Sequence, residues 1–138
     1  MPLGALDVDF DYAKSHYWSA ANADLTPQCV VFPASAENVS AIISIIGEFA
    51  GVNFAVKSGG HNPNVGYSST DGGILISMSS MANTTLSDDG TLASVGPGSR
   101  WSAALETLAP HNLAIVGGRL GEFRGSLTQA QIAWRLHY

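Results

Sequence analysis

A short stretch in the middle of the chain carries the residue types that a phosphate site needs. Apolar, β-forming residues 54–57 run directly into Ser58-Gly59-Gly60-His61, and a short apolar run that ends in glycine is typical of an interior strand followed by a turn. Because glycine has no Cβ atom, Gly59 and Gly60 allow positive φ and a close approach of the backbone to a ligand. Successive N–H groups in such a turn form an anion-binding concavity. The stretch therefore predicts a site for a phosphate or pyrophosphate.

His61 lies at the exit of this turn and adds a nucleophilic imidazole to the predicted anion site. The plainer interpretation is a tight surface turn with a solvated histidine. A single Gly-Gly-His string is too short to distinguish an anion site from a solvated surface turn. The strands and helices around the string are therefore needed to distinguish them.

The other polar clusters of the sequence favour structural roles. Asp88-Asp89-Gly90 has the composition of a turn rather than of paired catalytic carboxylates. Ser58 precedes a histidine but has no nucleophile-elbow pattern around it, which argues against a hydrolase. His16 and His137 lie far apart in the sequence without a third ligand, so we predict no metal site.

The composition indicates one small domain with apolar surface for a cofactor or another domain. The chain has 138 residues, of which 46% are hydrophobic and 12% charged, against roughly 25% charged in an average domain. So few charges predict apolar surface that faces a cofactor or another domain. The net charge of −5 argues against nucleic acid or an anionic membrane as a partner. Cys29 is the single cysteine, which excludes an intrachain disulfide and predicts a buried, small apolar side chain.

The N-terminal residues do not resemble a secretory signal. Residues 1–20 have neither a basic start nor an apolar core. The longest apolar run falls well short of the roughly 18 residues of a membrane-spanning helix. We therefore predict no signal peptide and no membrane contact, and the location is cytoplasmic or unknown.

The residues before the glycine turn predict a β-α-β unit. Residues 29–32 are rich in β-forming side chains and are followed by proline, which is typical of a short strand. Ser35 is a favourable N-cap for a helix that continues to residue 50, because apolar residues recur at helical spacing. The strand at 54–57 follows, so we predict two parallel strands joined by a right-handed crossover.

The residues after the turn predict more strands and another helix. Residues 83–86 and 91–95 flank a turn-forming tetrad and predict a hairpin. Ser99 is a candidate N-cap for a helix over residues 100–108. The remaining predictions are strands at 74–78 and 113–116 and an amphipathic helix at 129–136. The predicted fold class is α+β, with a β-α-β start and a small mixed sheet that includes a hairpin.

Taken in order, these pieces resemble the N-terminal part of a PCMH-type FAD-binding domain of the vanillyl-alcohol oxidase superfamily. Within it, the sequence is most similar to berberine-bridge-enzyme-like oxidases, especially fungal members of secondary metabolism. Lys-Ser-Gly-Gly-His followed by Gly-x-Gly-x-x-Trp is the most specific part of the resemblance. The matching pieces are Tyr17-Trp18-Ser19-Ala20, residues 27–33, Glu37-Asn38-Val39, residues 54–61, Gly66, Gly72-Gly73, residues 95–101 and Gly117-Gly118-Arg119. The predicted organisation is a lead-in at 1–25, a partial FAD-binding domain at 26–121 and a divergent tail at 122–138.

The resemblance implies a cofactor and roles for individual residues. FAD is the implied cofactor, and the backbone of Ser58, Gly59, Gly60 and Asn62 is implied to cradle its pyrophosphate. His61 is implied to bond covalently to the 8α-methyl carbon of the isoalloxazine, which requires the neutral imidazole that histidine supplies near pH 7. The implied chemistry is oxidation of a small organic substrate with electrons passed to O2. The other implied cofactor-binding positions are Lys57, Gly66, Gly96, Gly98, Gly117, Gly118 and Arg119.

The sequence departs from this family after residue 121. Relatives continue with a glycine-rich stretch where this chain has residues 120–127, and their substrate-binding domain and catalytic base have no counterpart here. We therefore expect a shortened relative, and we assign no catalytic residue. Three functions stay open: an FAD-linked oxidoreductase, a non-catalytic flavin-binding relative, and an interaction module whose open sheet edge pairs with another chain that completes the domain.

Overall fold

The computed structural model describes residues 4–117 and 133–135. The chain divides into two compact units, Met1–Ser80 and Met81–Tyr138. Each unit combines helices with short strands around its own apolar core, so the predicted α+β class is confirmed. None of the helices in the described ranges is long and apolar enough to cross a bilayer.

The first unit contains a three-stranded parallel sheet. Its strands are β1 (Cys29–Val31), β2 (Phe54–Lys57) and β3 (Ile74–Ser77), in the spatial order β1-β3-β2. β1 and β2 are therefore parallel, as predicted, but the later strand β3 lies between them. Leu75 and Ile76 in β3 are 1% and 0% exposed, as expected for a central strand of a parallel sheet.

Helix α3 (Ala36–Gly47) connects β1 to β2. The Ser35 hydroxyl oxygen accepts a hydrogen bond from the N–H of Asn38 at 3.3 Å, so the predicted N-cap is confirmed. The helix ends at Gly47 rather than at residue 50, because the next N–H groups bond to carbonyls three residues back and tighten the chain into a turn.

Two helices precede the sheet, namely α1 (Gly4–Ser15) and α2 (Ala20–Ala23). Ala13 of α1 packs with Ala55 and Leu75 to form the core of the first unit. Cys29 is exposed, so the prediction of a buried cysteine is wrong. β1 is an outer strand of this sheet, and its first residue therefore gains little cover.

The second unit begins with an antiparallel pair, β4 (Thr84–Leu86) and β5 (Ala93–Val95), which confirms the predicted hairpin. Helix α4 (Trp101–Leu108) follows, with Arg100 rather than Ser99 at the N-cap position. The Ser99 side chain is 1% exposed and donates to the carbonyl of Asn83 at 3.4 Å instead. Ser99 thus ties the helix entry to the hairpin and does not cap the helix.

Strand β6 (Leu113–Ile115) pairs antiparallel with β7 (Ala133–Arg135). The predicted helix at 129–136 is therefore wrong over β7, and its other residues lie outside the described ranges. Pairing with β6 satisfies the backbone of β7, and such tertiary contacts override a weak helical preference. Ala93, Leu108 and Ile115 form the core of this unit.

Candidate cofactor-binding loop

The predicted anion-binding turn leaves the carboxyl end of β2, the end of a parallel sheet at which ligands bind. Gly60 has φ +69°, and its carbonyl accepts a hydrogen bond from the N–H of Trp18 at 3.0 Å. A Cβ atom at this position would lie 2.9 Å from the carbonyl oxygen of His16 and 2.9 Å from Cδ1 of Tyr17. Glycine is therefore required at position 60 by the backbone conformation and by the segment packed behind it.

Gly66 closes the loop and differs from Gly60 in its surroundings. It also has a positive φ, +84°, but nothing lies within 4 Å of an added Cβ. The N–H of Gly66 donates to Oδ1 of Asn22 at 3.3 Å. Glycine at position 66 is thus required by the backbone conformation alone, and the space beside it is open.

The peptide donors of the turn fit the anionic cofactor that the resemblance implies. Gly60 is buried and Gly59 is half-buried. Within residues 4–117 and 133–135, the N–H groups of these two glycines donate no hydrogen bond. Buried peptide groups are normally paired, so an anion such as a pyrophosphate would satisfy donors that the described protein groups leave open. These two N–H groups, which donate no hydrogen bond within the described residues, favour an anion site over a solvated surface turn.

His61 follows these donors and is half-buried, with a buried Nδ1 atom. The next residue, Asn62, is exposed, and its Oδ1 accepts a hydrogen bond from the N–H of Asn64 at 3.0 Å. The imidazole thus lies where the loop passes from the buried turn to the exposed segment. His61 is therefore partly covered by the fold and partly open to solvent.

Lys57 points into the protein rather than along the loop. It is 4% exposed, its ammonium donates to the carbonyl oxygen of Ala13, and it lies 3.9 Å from the centre of the Tyr17 ring. A cation at the last turn of α1 complements the helix dipole, and the aromatic face adds a cation–π contact. These contacts account for a lysine at this position, and its predicted contact with the cofactor stays a prediction.

The Tyr17 ring lies against Gly60 and is itself held by a hydrogen bond. Its hydroxyl donates to the carbonyl of Ser68 at 2.8 Å, and burial raises the pKa of Tyr17 well above its ordinary value. The hydroxyl therefore keeps its proton and stays a hydrogen-bond donor at neutral pH.

Asn22, which was not predicted from the sequence, is a buried polar residue that holds the loop from within. Asn22 is 0% exposed, its Nδ2 donates to the carbonyl of Asn62 at 2.9 Å, and its Oδ1 accepts from the hydroxyl of Ser69 at 2.6 Å. The only signal in the sequence is an amide among small apolar residues in the stretch Ala20–Ala23. That signal gives no indication of which distant segment the amide would bind.

Gly96 and Gly98, predicted to lie beside the ADP half of FAD, belong to the second unit. A Cβ atom on Gly96 would collide with the carbonyl oxygen of Met81. The N–H of Gly98 donates to that same carbonyl at 3.0 Å. Packing within the second unit thus accounts for glycine at 96, and the predicted cofactor contacts of both residues stay predictions.

The Gly117-Gly118-Arg119 segment was predicted to contact the flavin. A Cβ atom on Gly117 would lie 2.6 Å from Cδ2 of the Trp101 indole, so packing against this ring requires glycine there. Gly118 and Arg119 lie outside the described residues. Among the predicted site residues, the structure thus brings residues 57–66 together in the first unit and places Gly96, Gly98 and Gly117 in the second.

The Asp88-Asp89-Gly90 segment is a turn, as predicted. Asp89 accepts hydrogen bonds from the hydroxyl of Ser87 at 2.6 Å and from the N–H of Thr91 at 3.1 Å. These bonds hold the pKa of the Asp89 carboxyl below its ordinary value. Over the described residues, no three His, Cys, Asp or Glu side chains form a group that could hold a metal ion.

Comparisons with known proteins find FAD-linked relatives of this chain. The sequence model of a family described as FAD binding domain matches residues 27–123. The FAD-dependent monooxygenase macF of Penicillium terrestre is 39% identical over 111 residues, which cover 80% of this chain and 21% of macF. An uncharacterized FAD-linked oxidoreductase of Arthroderma benhamiae is 37% identical over 114 residues, which cover 83% of this chain and 23% of that protein. This chain therefore spans less than a quarter of the length of these relatives.

Solved structures show the same fold. 6-Hydroxy-D-nicotine oxidase of Arthrobacter nicotinovorans matches with a TM-score of 0.74 and 27% identity, over 90% of this chain and 26% of that enzyme. Glucooligosaccharide oxidase of Acremonium strictum matches with a TM-score of 0.69 and 22% identity, over 83% of this chain and 24% of the oxidase. The oxidase carries a 6-S-cysteinyl, 8α-N1-histidyl FAD. At this identity the second match shows the fold alone.

Proposed function

We propose that this chain, which belongs to the FAD-binding domain family, binds FAD on the loop at residues 57–66 and carries it covalently on His61. The proposal depends chiefly on one observation, the positive-φ turn after β2, in which the N–H groups of Gly59 and Gly60 donate no hydrogen bond within the described residues. A histidine follows these donors directly. Phosphate oxygens accept from such donors, and the histidine supplies the point of attachment.

Each part of the loop has a separate task in this proposal. The N–H groups of Gly59 and Gly60 donate hydrogen bonds to the pyrophosphate, and the open space beside Gly66 gives the cofactor room. His61 supplies an imidazole nitrogen as the nucleophile. Attachment of FAD at this nitrogen would form one C–N bond and break one imidazole N–H bond and one C–H bond of the 8α-methyl group. The two protons and two electrons released would pass to O2, which would become H2O2.

We further propose that the whole protein is an FAD-linked oxidoreductase that acts on a small organic substrate in fungal secondary metabolism. Bound FAD supplies the electron acceptor, while the protein binds and orients it. Support comes from the relatives, which include FAD-dependent monooxygenases of Penicillium terrestre and Aspergillus calidoustus. The residues of this chain that are assigned roles bind and position FAD, and none of them is assigned to the substrate.

A second candidate is a flavin-binding or interaction module that needs another chain or domain beside it. Three apolar side chains of the first unit support this candidate, because Ile45, Phe49 and Phe54 are 57%, 60% and 46% exposed. Phe54 lies on β2, an outer strand of the three-stranded sheet. An exposed apolar side chain on an outer strand is part of a surface that a partner can cover.

The first proposal is tested by acid precipitation of the purified chain after incubation with FAD, followed by absorbance of the pellet and the supernatant. For the wild type we expect flavin absorbance in the pellet. For His61→Ala we expect it in the supernatant and not in the pellet. His111→Ala is the matched control, because His111 is an exposed histidine in the second unit. Pellet flavin in His61→Ala, or none in the wild type, would refute attachment at His61. Release of all flavin into the wild-type supernatant would leave reversible binding.

A further inference from the structure

We infer that Asn22 is a positioning residue for His61, so that its carboxamide controls how fast flavin becomes attached. The inference extends the proposed covalent function and depends on it for that readout. Asn22 lies in α2, and its hydrogen-bond partners lie in the loop that follows His61, 40 residues or more along the chain.

The segment that contains Asn22 binds the loop on both sides of His61. On the preceding side, the N–H of Trp18 donates to the carbonyl of Gly60 at 3.0 Å. On the following side, Nδ2 of Asn22 donates to the carbonyl of Asn62 at 2.9 Å. His61 is therefore bracketed by two hydrogen bonds from one short segment, and this arrangement limits the movement of its backbone.

The side chain of Asn22 uses its donor and its acceptor at the same time. Besides the bond to Asn62, its Oδ1 accepts from the N–H of Gly66 at 3.3 Å and from the hydroxyl of Ser69 at 2.6 Å. The side chain is 0% exposed, so water does not replace a lost partner, and an unsatisfied buried amide is unfavourable. A carboxamide is the group that supplies one donor and one acceptor within this shape.

The loop has little burial of its own to fix its position. Residues 62–67 are all exposed, whereas Asn22 and Ser69 are buried. The hydrogen bonds to Asn22 are thus an internal anchor for an otherwise exposed segment. Bond formation depends steeply on position, since a displacement of about 1 Å can slow a reaction roughly 100-fold. Loss of the anchor is therefore expected to slow attachment at His61 more than it weakens reversible FAD binding.

The decisive variant is Asn22→Asp, which is nearly the same size as asparagine. The carboxylate keeps an acceptor for Gly66 and Ser69 but faces the carbonyl of Asn62 without a proton to donate. Ser69→Ala is the matched control, because it removes one partner of Oδ1 and leaves the bond to Asn62 in place. Asn22→Ala, which removes the donor and the acceptor together, is the second test variant.

Three quantities are measured on the full chain with added FAD. They are the rate at which acid-stable flavin forms, the reversible affinity from quenching of flavin fluorescence, and the hydrogen exchange of residues 58–69 and of β3. For Asn22→Asp we expect attachment to be slower by about 10-fold or more, faster exchange in residues 62–66, and unchanged exchange in β3. For Ser69→Ala we expect attachment and exchange close to those of the wild type.

Wild-type attachment rates in Asn22→Asp would overturn the inference. Loss of β3 protection in both Asn22→Asp and Asn22→Ala would also overturn it, because the residue would then act on the whole unit rather than on the loop. If the wild type forms no acid-stable flavin, the proposed covalent function fails. The anchor is then judged by hydrogen exchange alone. Compared with the wild type, exchange in Asn22→Asp must still be faster in residues 62–66 and unchanged in β3.

Discussion

Replacement of Gly60 by alanine is expected to destabilise the first unit through two separable effects. The residue has φ +69°, so an added Cβ atom meets its own carbonyl in the left-handed region. The same atom would lie 2.9 Å from the His16 carbonyl oxygen and 2.9 Å from the Tyr17 ring. One of these two contacts is with backbone, which cannot move aside as a flexible side chain can.

The two effects have different magnitudes and can be separated with Gly66. The left-handed conformation destabilises an alanine by about 1–2 kcal/mol, and overpacking adds about 1–3 kcal/mol. Gly60→Ala should therefore lower the free energy of unfolding by about 2–5 kcal/mol. Gly66 has φ +84°, but nothing lies within 4 Å of an added Cβ atom. Only the effect of the left-handed conformation therefore applies to Gly66→Ala. The difference between the two variants isolates the contacts of the added atom with residues 16, 17 and 57.

The assay is urea unfolding followed by circular dichroism, with hydrogen exchange of the β3 amides as a second measure of the first unit. We expect Gly60→Ala to lose more free energy of unfolding than Gly66→Ala, by about 1–3 kcal/mol. Equal losses in the two variants would refute the reasoning, because they would show that the chain behind Gly60 moves away without resistance.

Two further predictions concern stability. The pKa of Asp89 is lowered because the carboxylate accepts hydrogen bonds from Ser87 and Thr91. The stabilisation that these bonds give the folded state is therefore fully present above the ordinary pKa of 3.8, and it is lost as the pH falls through the folded-state pKa. Asp89→Asn should therefore lower the urea midpoint at pH 7, and a difference from wild type that does not shrink in acid would contradict this. Gly47, the last residue of α3, has no positive φ and nothing within 4 Å of an added Cβ, so Gly47→Ala should stabilise by about 0.5–1 kcal/mol. A lower melting temperature for that variant would count against it.

The elements that were predicted correctly have local causes. The Ser35 cap, the hairpin at β4 and β5, and the strand before the glycine turn all follow from residue types within a few positions of each other. A cap bonds an N–H three residues away, and a turn closes over four residues. Such interactions are visible in the sequence because the partners are neighbours in it.

The features that were predicted wrongly, or not predicted at all, depend on partners that lie far apart in the sequence. β3 pairs with both β1 and β2 and lies between them, and this arrangement leaves Cys29 exposed on an outer strand. The role of Asn22 was not predictable because its partner Asn62 lies 40 residues away. The tail forms β7 because β6 offers a pairing partner, and the periodicity of residues 129–136 carries no information about that.

The glycines of the motif show why a family pattern does not by itself assign residue roles. Gly60, Gly96 and Gly117 each lie against another part of their own unit, so the fold alone accounts for them. Loss of flavin in a variant of these three would therefore not demonstrate contact with the cofactor. Gly66 has open space beside it, so a larger side chain there changes the room available to a ligand. At matched stability, a loss of FAD affinity in Gly66 variants is the more direct evidence for contact with the cofactor.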